Sequence, residues 1–458
     1  MSIHHTSLRP GEFDPLLFHE HFGQQSPGFL ESLNARPKTG RYSIVALRST
    51  ESFCLGPETG LIHRKNGRRT LLEGDPFSRL SSHLEQHREK TGCPSPFPGG
   101  FFGFFSYDLA GWIEELPRRK DCLRDLDVPV LWLDWVDRTA VFDHLSGELH
   151  LCSLESAEDL EALALEIRPL LGRRDTALPA PRLSRELVPS VSREGFMTMV
   201  RRAQQYIACG DIYQANISCR FQGRWEGTSA DLYRRLRHLN PSPFACLLRF
   251  AGGELISSSP ERLVSLRRGV AETRPIAGTR RRGQNPEEDE ALQRELIAHP
   301  KERAEHVMLL DLERNDLGRV CEAGSVRVDE LMVLEHYAHV THIVSNVRGR
   351  LKAGLGPFDL LRATFPGGTI TGAPKKRCME IIEELEPVGR GSYTGSAGYI
   401  GVTGETDLNI LIRGFQNLGG NLSYQAGAGI VADSVPEKEW AECLSKGRAL
   451  RRALEEEL

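Results

Sequence analysis

The sequence predicts an α+β fold, and three observations predict it. Short strand-like runs punctuated by Gly and Pro fill the first third of the chain. Helical and alternating periods mix beyond residue 190 without a regular β-α-β alternation, and no fixed-period repeat or low-complexity tract suggests a solenoid or propeller. In chain order, residues 42–47, 101–107 and 128–135 read as strands. Residues 172–192 (GRRDTALPAPRLSRELVPSVS) carry three prolines, several charges and no sustained period, which reads as a surface linker. It separates a sheet-rich region, 1–175, from a second region, 190–455. Residues 194–209 place Phe196, Val200, Ala203 and Ile207 at helical spacing and stop at Gly210, and residues 212–221 then read as a strand. Further helices are expected over 288–299, 302–312, 358–364, 374–385 and 436–454, with strands over 342–347, 399–402, 408–413 and 422–425.

Composition narrows the function. With 58 Lys and Arg against 62 Asp and Glu the net charge is −4, which argues against a polycation built to hold nucleic acid. At 40% hydrophobic and 26% charged residues, the 458-residue chain can bury a large core. Ten cysteines without a Cys-x-x-Cys pair read as reduced thiols in a cytoplasmic protein rather than a zinc site or disulfide framework. Residues 1–20 mix His, Arg, Asp and Glu, and no apolar run approaches the roughly 18 residues of a membrane span, so neither a signal peptide nor a membrane anchor is expected.

Three motifs imitate nucleotide or nucleic-acid sites. Gly367 and Gly372 have P-loop spacing, but Ala373 and Pro374 stand where Lys and Ser or Thr would be needed. Gly427-x-Gly429-x-x-Ala432 copies a dinucleotide fingerprint, yet Pro436 delays the next helix and too little chain follows for a β-α-β unit. Arg280, Arg281 and Arg282 form the most basic cluster, but acids at 287–290 follow and no aromatic stacking platform accompanies them, so a solvated loop is expected.

The chemistry sits elsewhere. Glu302 and Glu305, and again Glu439 and Glu442, are three residues apart on expected helices, about 60° apart on one face. Oxygen ligands on rigid helices suit Mg²⁺, although such pairs more often lie on solvated faces. Lys446 falls on the same stripe as Glu439, about 20° away in azimuth, so one helix offers two acids and a base. Ahead of it, Ala426-Gly427-Ala428-Gly429 would let backbone N–H groups approach a carboxylate, and a tight turn fits equally well. In the strand expected over 408–413, Arg413 shares a face with Asp407 and Asn409, where it could clamp a carboxylate bidentately or pair with an acid. Spacing alone points to a Mg²⁺-dependent enzyme acting on a small polyanionic acid.

The same segments resemble the chorismate-utilising enzymes. The resemblance runs through residues 210–221 (GDIYQANISCRF), 258–266 (SSPERLVSL), 274–283 (RPIAGTRRRG), 302–320 (ERAEHVMLLDLERNDLGRV), 339–349 (HVTHIVSNVRG), 365–387 (FPGGTITGAPKKRCMEIIEELEP) and 426–446 (AGAGIVADSVPEKEWAECLSK). Residues 29–32 (FLES), 40–46 (GRYSIVA) and 104–117 (FFSYDLAGWIEELP) extend it into the N-terminal half. It implies a large mixed body with two packed antiparallel β-sheets surrounded by helices. It assigns Glu302, Glu305, Glu439 and Glu442 to a Mg²⁺ site that holds the ring carboxylate of chorismate, with Gly427, Gly429 and Lys446 beside that carboxylate. Thr279 would join the substrate-binding set, Tyr399 and Arg413 would hold the enolpyruvyl carboxylate, and Glu261 would be the general acid for the departing C4 hydroxyl. His342 would stand near the reacting ring, with Lys446 counted in the catalytic set. In related large components FLES and residues 240–244 line a tryptophan pocket, which makes Glu31, Ser32, Asn240, Pro241 and Phe244 candidates to bind tryptophan.

Within the family, water-using branches carry a lysine where this chain has Gln214, so ammonia is the expected nucleophile. Residues 213–216, 258–262, 367–372 and 409–413 resemble the branch that aminates C4, making 4-amino-4-deoxychorismate for p-aminobenzoate and folate. The alternative is the branch that makes anthranilate, and a catalytically silent chorismate or tryptophan sensor is the alternative from another class. Ala277 stands where well-known C4-aminating members carry a covalent lysine, so no bond to residue 277 is expected. No glutaminase segment is recognisable, so ammonia is expected from a separate glutamine amidotransferase subunit in a heterodimer.

Overall fold

The computed structural model describes residues 2–33, 39–57, 59–89, 92–117, 122–336 and 340–455. Helix and strand are mixed as α+β predicts, and the sheet is antiparallel. Hydrogen bonds join 22 strands into one network among the described residues, so the layers expected as two sheets share ladders. Strand Gly28–Glu31 pairs with Phe244–Phe250, and Gly100–Phe105 pairs with Ser396–Gly401, stitching the N-terminal strands to those of the second half.

Gly100–Phe105 shows why the body is layered. Its sequence is GFFGFF, and all six residues are buried. Successive side chains in a strand point to opposite faces. Phe101 and Phe105 accordingly enter one apolar cluster with Trp135 and Leu149, while Phe102 and Phe104 enter another with Trp132, Phe250 and Tyr399. A strand that is apolar on both faces needs cover on both.

Four expectations are corrected. Residues 172–192 are not all linker, because Leu183–Pro189 forms a strand on Gln214–Trp225 and occupies an edge whose N–H and C=O groups would otherwise lack a ladder. The helix expected over 302–312 runs from Pro300 to Val320, started by Pro at its first position and by the His299 imidazole 3.5 Å from the Glu302 N–H. The helix expected over 436–454 breaks at Gly447, which lies against the Tyr424 ring with no room for a side chain: a Cβ there would stand 2.9 Å from Tyr424 Cε2. The strand expected over 408–413 ends at Asn409 in Thr406–Asn409, and Arg413 takes a φ of 54°, so the alternation that put Arg413 beside Asp407 does not reach it. Among the described residues, no helix is long and apolar enough to cross a membrane.

Candidate active site

The site is built around strand Gln214–Trp225. Strand Asn421–Ile430 pairs along it with Gly427 opposite Ser218 and Gly429 opposite Asn216, and residues Gly372 and Ala373 close its start. The two glycines are there for contact. A Cβ on Gly427 would stand 2.4 Å from the Ile217 carbonyl oxygen, and one on Gly429 would stand 2.4 Å from Gln214 Nε2. The Gln214 and Asn216 side-chain oxygens are buried without a hydrogen-bond partner, so polar groups front this part of the interior with no protein group answering them.

Helix Pro436–Lys446 follows that strand. At its end Lys446 Nζ bonds Glu442 Oε1 at 2.8 Å, and the Arg413 guanidinium donates to the Lys446 carbonyl at 2.8 Å. Arg413 therefore sits at a helix C-terminus, where a cation is favoured. Glu261 faces the same group. Burial pushes its carboxyl from 4.5 up to about 7, opposed by the Thr369 hydroxyl, the Ile276 N–H and the charges of Lys446 and Arg413. A carboxyl buried to this degree holds its proton near neutrality, which suits a general acid.

The four glutamates expected to hold Mg²⁺ face one another from two helices, Pro300–Val320 and Pro436–Lys446. Burial raises Glu305, and the charges of Glu302, Glu442 and Glu439 raise it further against Lys301, while burial and Glu442 raise Glu439. Three of the four already carry cations: Glu442 bonds Lys446, Glu302 accepts from Arg280 at 3.0 Å, and Glu305 pairs with Lys301 at 3.9 Å. Among the described residues, no three Asp, Glu, His or Cys side chains are gathered as a ready metal cage. An all-carboxylate donor set whose members repel one another fits a hard divalent cation. The Arg cluster reaches solvent, as expected, at Arg281 and Arg282, and is paired with acids: Arg280 spans Glu295 and Glu302, Arg281 bonds Glu288, and Arg282 bonds Asp289 at 2.8 Å.

Strands Ile276–Arg281 and Val340–Arg350 place Thr279 directly opposite His342, with Thr279 Oγ1 2.8 Å from His342 Nδ1. The register slips at Gly278, whose φ of 69° suits glycine and whose Cβ position lies 3.1 Å from Glu302 Oε2. That bulge joins the Thr279–His342 pair to the metal-site acids. Ala277 carries no nucleophile, and neither lysine near the Gly-rich turn is unengaged: Lys375 Nζ bonds Asp316 at 2.6 Å and the Thr364 carbonyl at 2.9 Å, and Lys376 pairs with Glu114 at 3.8 Å.

Tyr399 requires correction. It lies not beside Arg413 but in the wall of a cavity it shares with Glu31, Ser32, Phe244, Arg262 and Arg267. Tyr393 is the tyrosine near Arg413, buried in the turn ahead of strand Ser396–Gly401. The resemblance alone assigned Tyr399, and no local pattern separated it from Tyr393, six residues earlier in a turn that includes Thr394 at positive φ. The expected tryptophan set also divides. Glu31, Ser32 and Phe244 line the cavity, whereas Asn240 and Pro241 do not: Asn240 is bonded to Ser258, and Pro243 and Ala245 take the lining positions. A second missed residue is Glu313, buried behind the site. Burial and the neighbouring Asp316 raise its carboxyl against the charge of Lys375, and ionisation of Glu261 raises it further. Its sequence signal was weak, since an acid inside LDLERND reads as a solvated helix position.

Comparison with known proteins adds the decisive observation: residues 36–452 match the chorismate binding enzyme family. The chain belongs to that family. It is 45% identical to aminodeoxychorismate synthase component 1 of Bacillus subtilis, over 91% of this chain and 90% of that protein. Anthranilate synthase component 1 of Thermus thermophilus is 43% identical over 93% of this chain and 91% of its own length. Among solved structures, anthranilate synthase component I from Streptococcus pneumoniae superposes with a TM-score of 0.79 at 33% identity, covering 92% of this chain and 93% of that one.

Proposed function

We propose that this member of the chorismate binding enzyme family is the large component of an aminodeoxychorismate synthase, converting chorismate and ammonia to 4-amino-4-deoxychorismate on the way to p-aminobenzoate and folate. The observation that carries the reading is a buried carboxyl, Glu261, which burial pushes up to about 7, set against two cations, Lys446 and Arg413. A dicarboxylate seated on those cations would present its ring hydroxyl to an acid that still holds a proton. Glu261 gives that proton to the C4 oxygen, which leaves as water, while ammonia forms the new C–N bond and its surplus proton returns to the Glu261 carboxylate. Tyr393, next to Arg413, replaces Tyr399 as the tyrosine toward the enolpyruvyl carboxylate.

Glu302, Glu305, Glu439 and Glu442 are the residues that would hold Mg²⁺, and when bound the ion would supply charge neutralisation for the ring carboxylate. Arg280, Lys301 and Lys446 must then release Glu302, Glu305 and Glu442. Gln214 in place of a water-activating lysine supports ammonia as nucleophile, and the Bacillus subtilis relative's name supports C4 over C2 amination. The designation of that relative as component 1 supports a second subunit, which we identify as a glutamine amidotransferase, in a cytoplasmic enzyme. Tryptophan is the ligand we propose for the cavity beside Tyr399, whose lining combines the acids Glu31 and Asp407, the cations Arg262 and Arg267, and the apolar Leu30, Ile44 and Phe244. Anthranilate formation is the second reading, favoured by Ala277 and by the Thermus thermophilus relative.

The test is chorismate consumption by the purified chain with Mg²⁺ and ammonium. Turnover that depends on ammonium is expected, and chorismate binding without turnover would make the chain a sensor. Intact-mass measurement during turnover is expected to show no adduct at residue 277. An adduct on Lys375 or Lys376 would overturn the non-covalent step.

A further inference from the structure

Two of the ten free cysteines meet outside the site described above, and they are unlike each other. The Sγ atoms of Cys93 and Cys152 lie 3.9 Å apart. Cys152 is buried in strand Glu148–Ser153, where its rung partners are Thr139 and His5. Cys93 is partly exposed in the irregular segment ahead of strand Gly100–Phe105, so solvent reaches one sulfur and not the other. The contact acts in opposite directions on the two thiols: it lowers Cys93, while contact and burial together raise Cys152. One accessible sulfur with thiolate character backed by one buried, protonated sulfur is the arrangement of an attacking and a resolving thiol.

We propose that Cys93 and Cys152 form a reversible oxidation site, a dithiol that closes to a disulfide when the protein meets a peroxide. The Cys93 thiolate attacks one peroxide oxygen, the O–O bond breaks, and Cys93 becomes a sulfenic acid as hydroxide leaves. Cys152 then attacks the Cys93 sulfur, and its proton departs with the sulfenic hydroxyl as water. In sum the two thiols lose two electrons and two protons, and one peroxide becomes two waters. The sulfurs must close from 3.9 Å to about 2.05 Å, and Cys93 lies in no ladder that would resist the shift.

The position gives the bond a consequence. Four residues beyond Cys93, the Phe97 carbonyl accepts from Thr139 Oγ1 at 3.0 Å, and Thr139 is the rung partner of Cys152. The Phe97 ring in turn stands 4.9 Å from Tyr399 in the wall of the cavity described above. The disulfide would tie the Phe97 segment a second time at the rung that already anchors it. Neither the oxidation nor this tie depends on which product the enzyme makes.

The test uses the full chain, reduced and then exposed to stoichiometric hydrogen peroxide. The wild type is expected to lose about 2 Da, to yield a Cys93–Cys152 cross-linked peptide on non-reducing mapping, to melt at a higher temperature, and to regain its original mass in dithiothreitol. In Cys152→Ser, Cys93 has no resolving thiol and is expected to gain about 16 Da as a sulfenic acid, and about 32 Da as a sulfinic acid once a second equivalent of peroxide is added. In Cys93→Ser, Cys152 is expected to stay reduced. The wild-type map decides even if a serine variant fails to fold: a sulfenic Cys93 without the cross-link, or oxidation confined to exposed Cys209, overturns the proposal.

Discussion

Glu261 carries the chemistry at the scale of single residues, and its protonation has two measurable signs. A carboxyl raised from 4.5 to about 7 binds its proton more tightly in the folded chain than in the unfolded one. Stability therefore falls as pH rises from about 4.5 to about 7, by on the order of 3 kcal/mol across that window, and stays lower above it. Glu261→Gln cannot ionise, so it should melt higher than wild type at pH 8 while losing roughly 10²- to 10⁴-fold in kcat. Loss of activity together with loss of stability would contradict a neutral acid at this position. The two tyrosines give a second pair of outcomes. Tyr393→Phe should raise KM for chorismate several-fold and leave the cavity's ligand alone, whereas Tyr399→Phe should do the reverse, measured by steady-state kinetics and tryptophan calorimetry. At this scale the sequence was legible wherever a residue's neighbours in the chain are also its neighbours in space. Lys446 and Glu442 share a helix turn, but Tyr393 and Tyr399 are sorted by a turn whose positive φ values at Gly391 and Thr394 no periodicity reveals.

Among elements, the glycines of strand Asn421–Ile430 separate a backbone role from a side-chain role. A Cβ on Gly427 meets the backbone of the paired strand, which cannot yield without opening the ladder, so Gly427→Ala should cost about 1–3 kcal/mol in thermal or chemical melts. A Cβ on Gly429 meets the far end of Gln214, which can rotate away, so Gly429→Ala should fold nearly as well and show its effect in KM. Equal destabilisation by the two would mean that Gln214 is locked. Helix positions were legible from Pro and from apolar spacing, as Pro286–Ala298 and Pro357–Thr364 illustrate. Helix and strand ends were less so. Gly447 breaks the last helix because of Tyr424, a residue on another strand, and Leu183–Pro189 becomes a strand because Gln214–Trp225 presents an edge to it. Both endings are set by tertiary neighbours rather than by local propensity.

Across the whole molecule, pairing of N-terminal strands with those of the second half makes one body, so the cavity holding Tyr399 is walled by residues from both, including Glu31 and Tyr42 on one side and Phe244 and Asp407 on the other. A ligand there touches both halves without entering the place where Glu261 and Arg413 meet. The near-neutral net charge, read first as evidence against a polycation, conceals a local contrast: four glutamates face each other on two helices while Arg413 and Lys446 stand beside a carboxyl that burial raises to about 7. The most direct measurement of the central claim is the product formed from chorismate, Mg²⁺ and ammonium by the purified chain. Aminodeoxychorismate, converted to p-aminobenzoate when a lyase is added, is the predicted result. Blue anthranilate fluorescence with stoichiometric pyruvate, and no p-aminobenzoate on addition of the lyase, would contradict it.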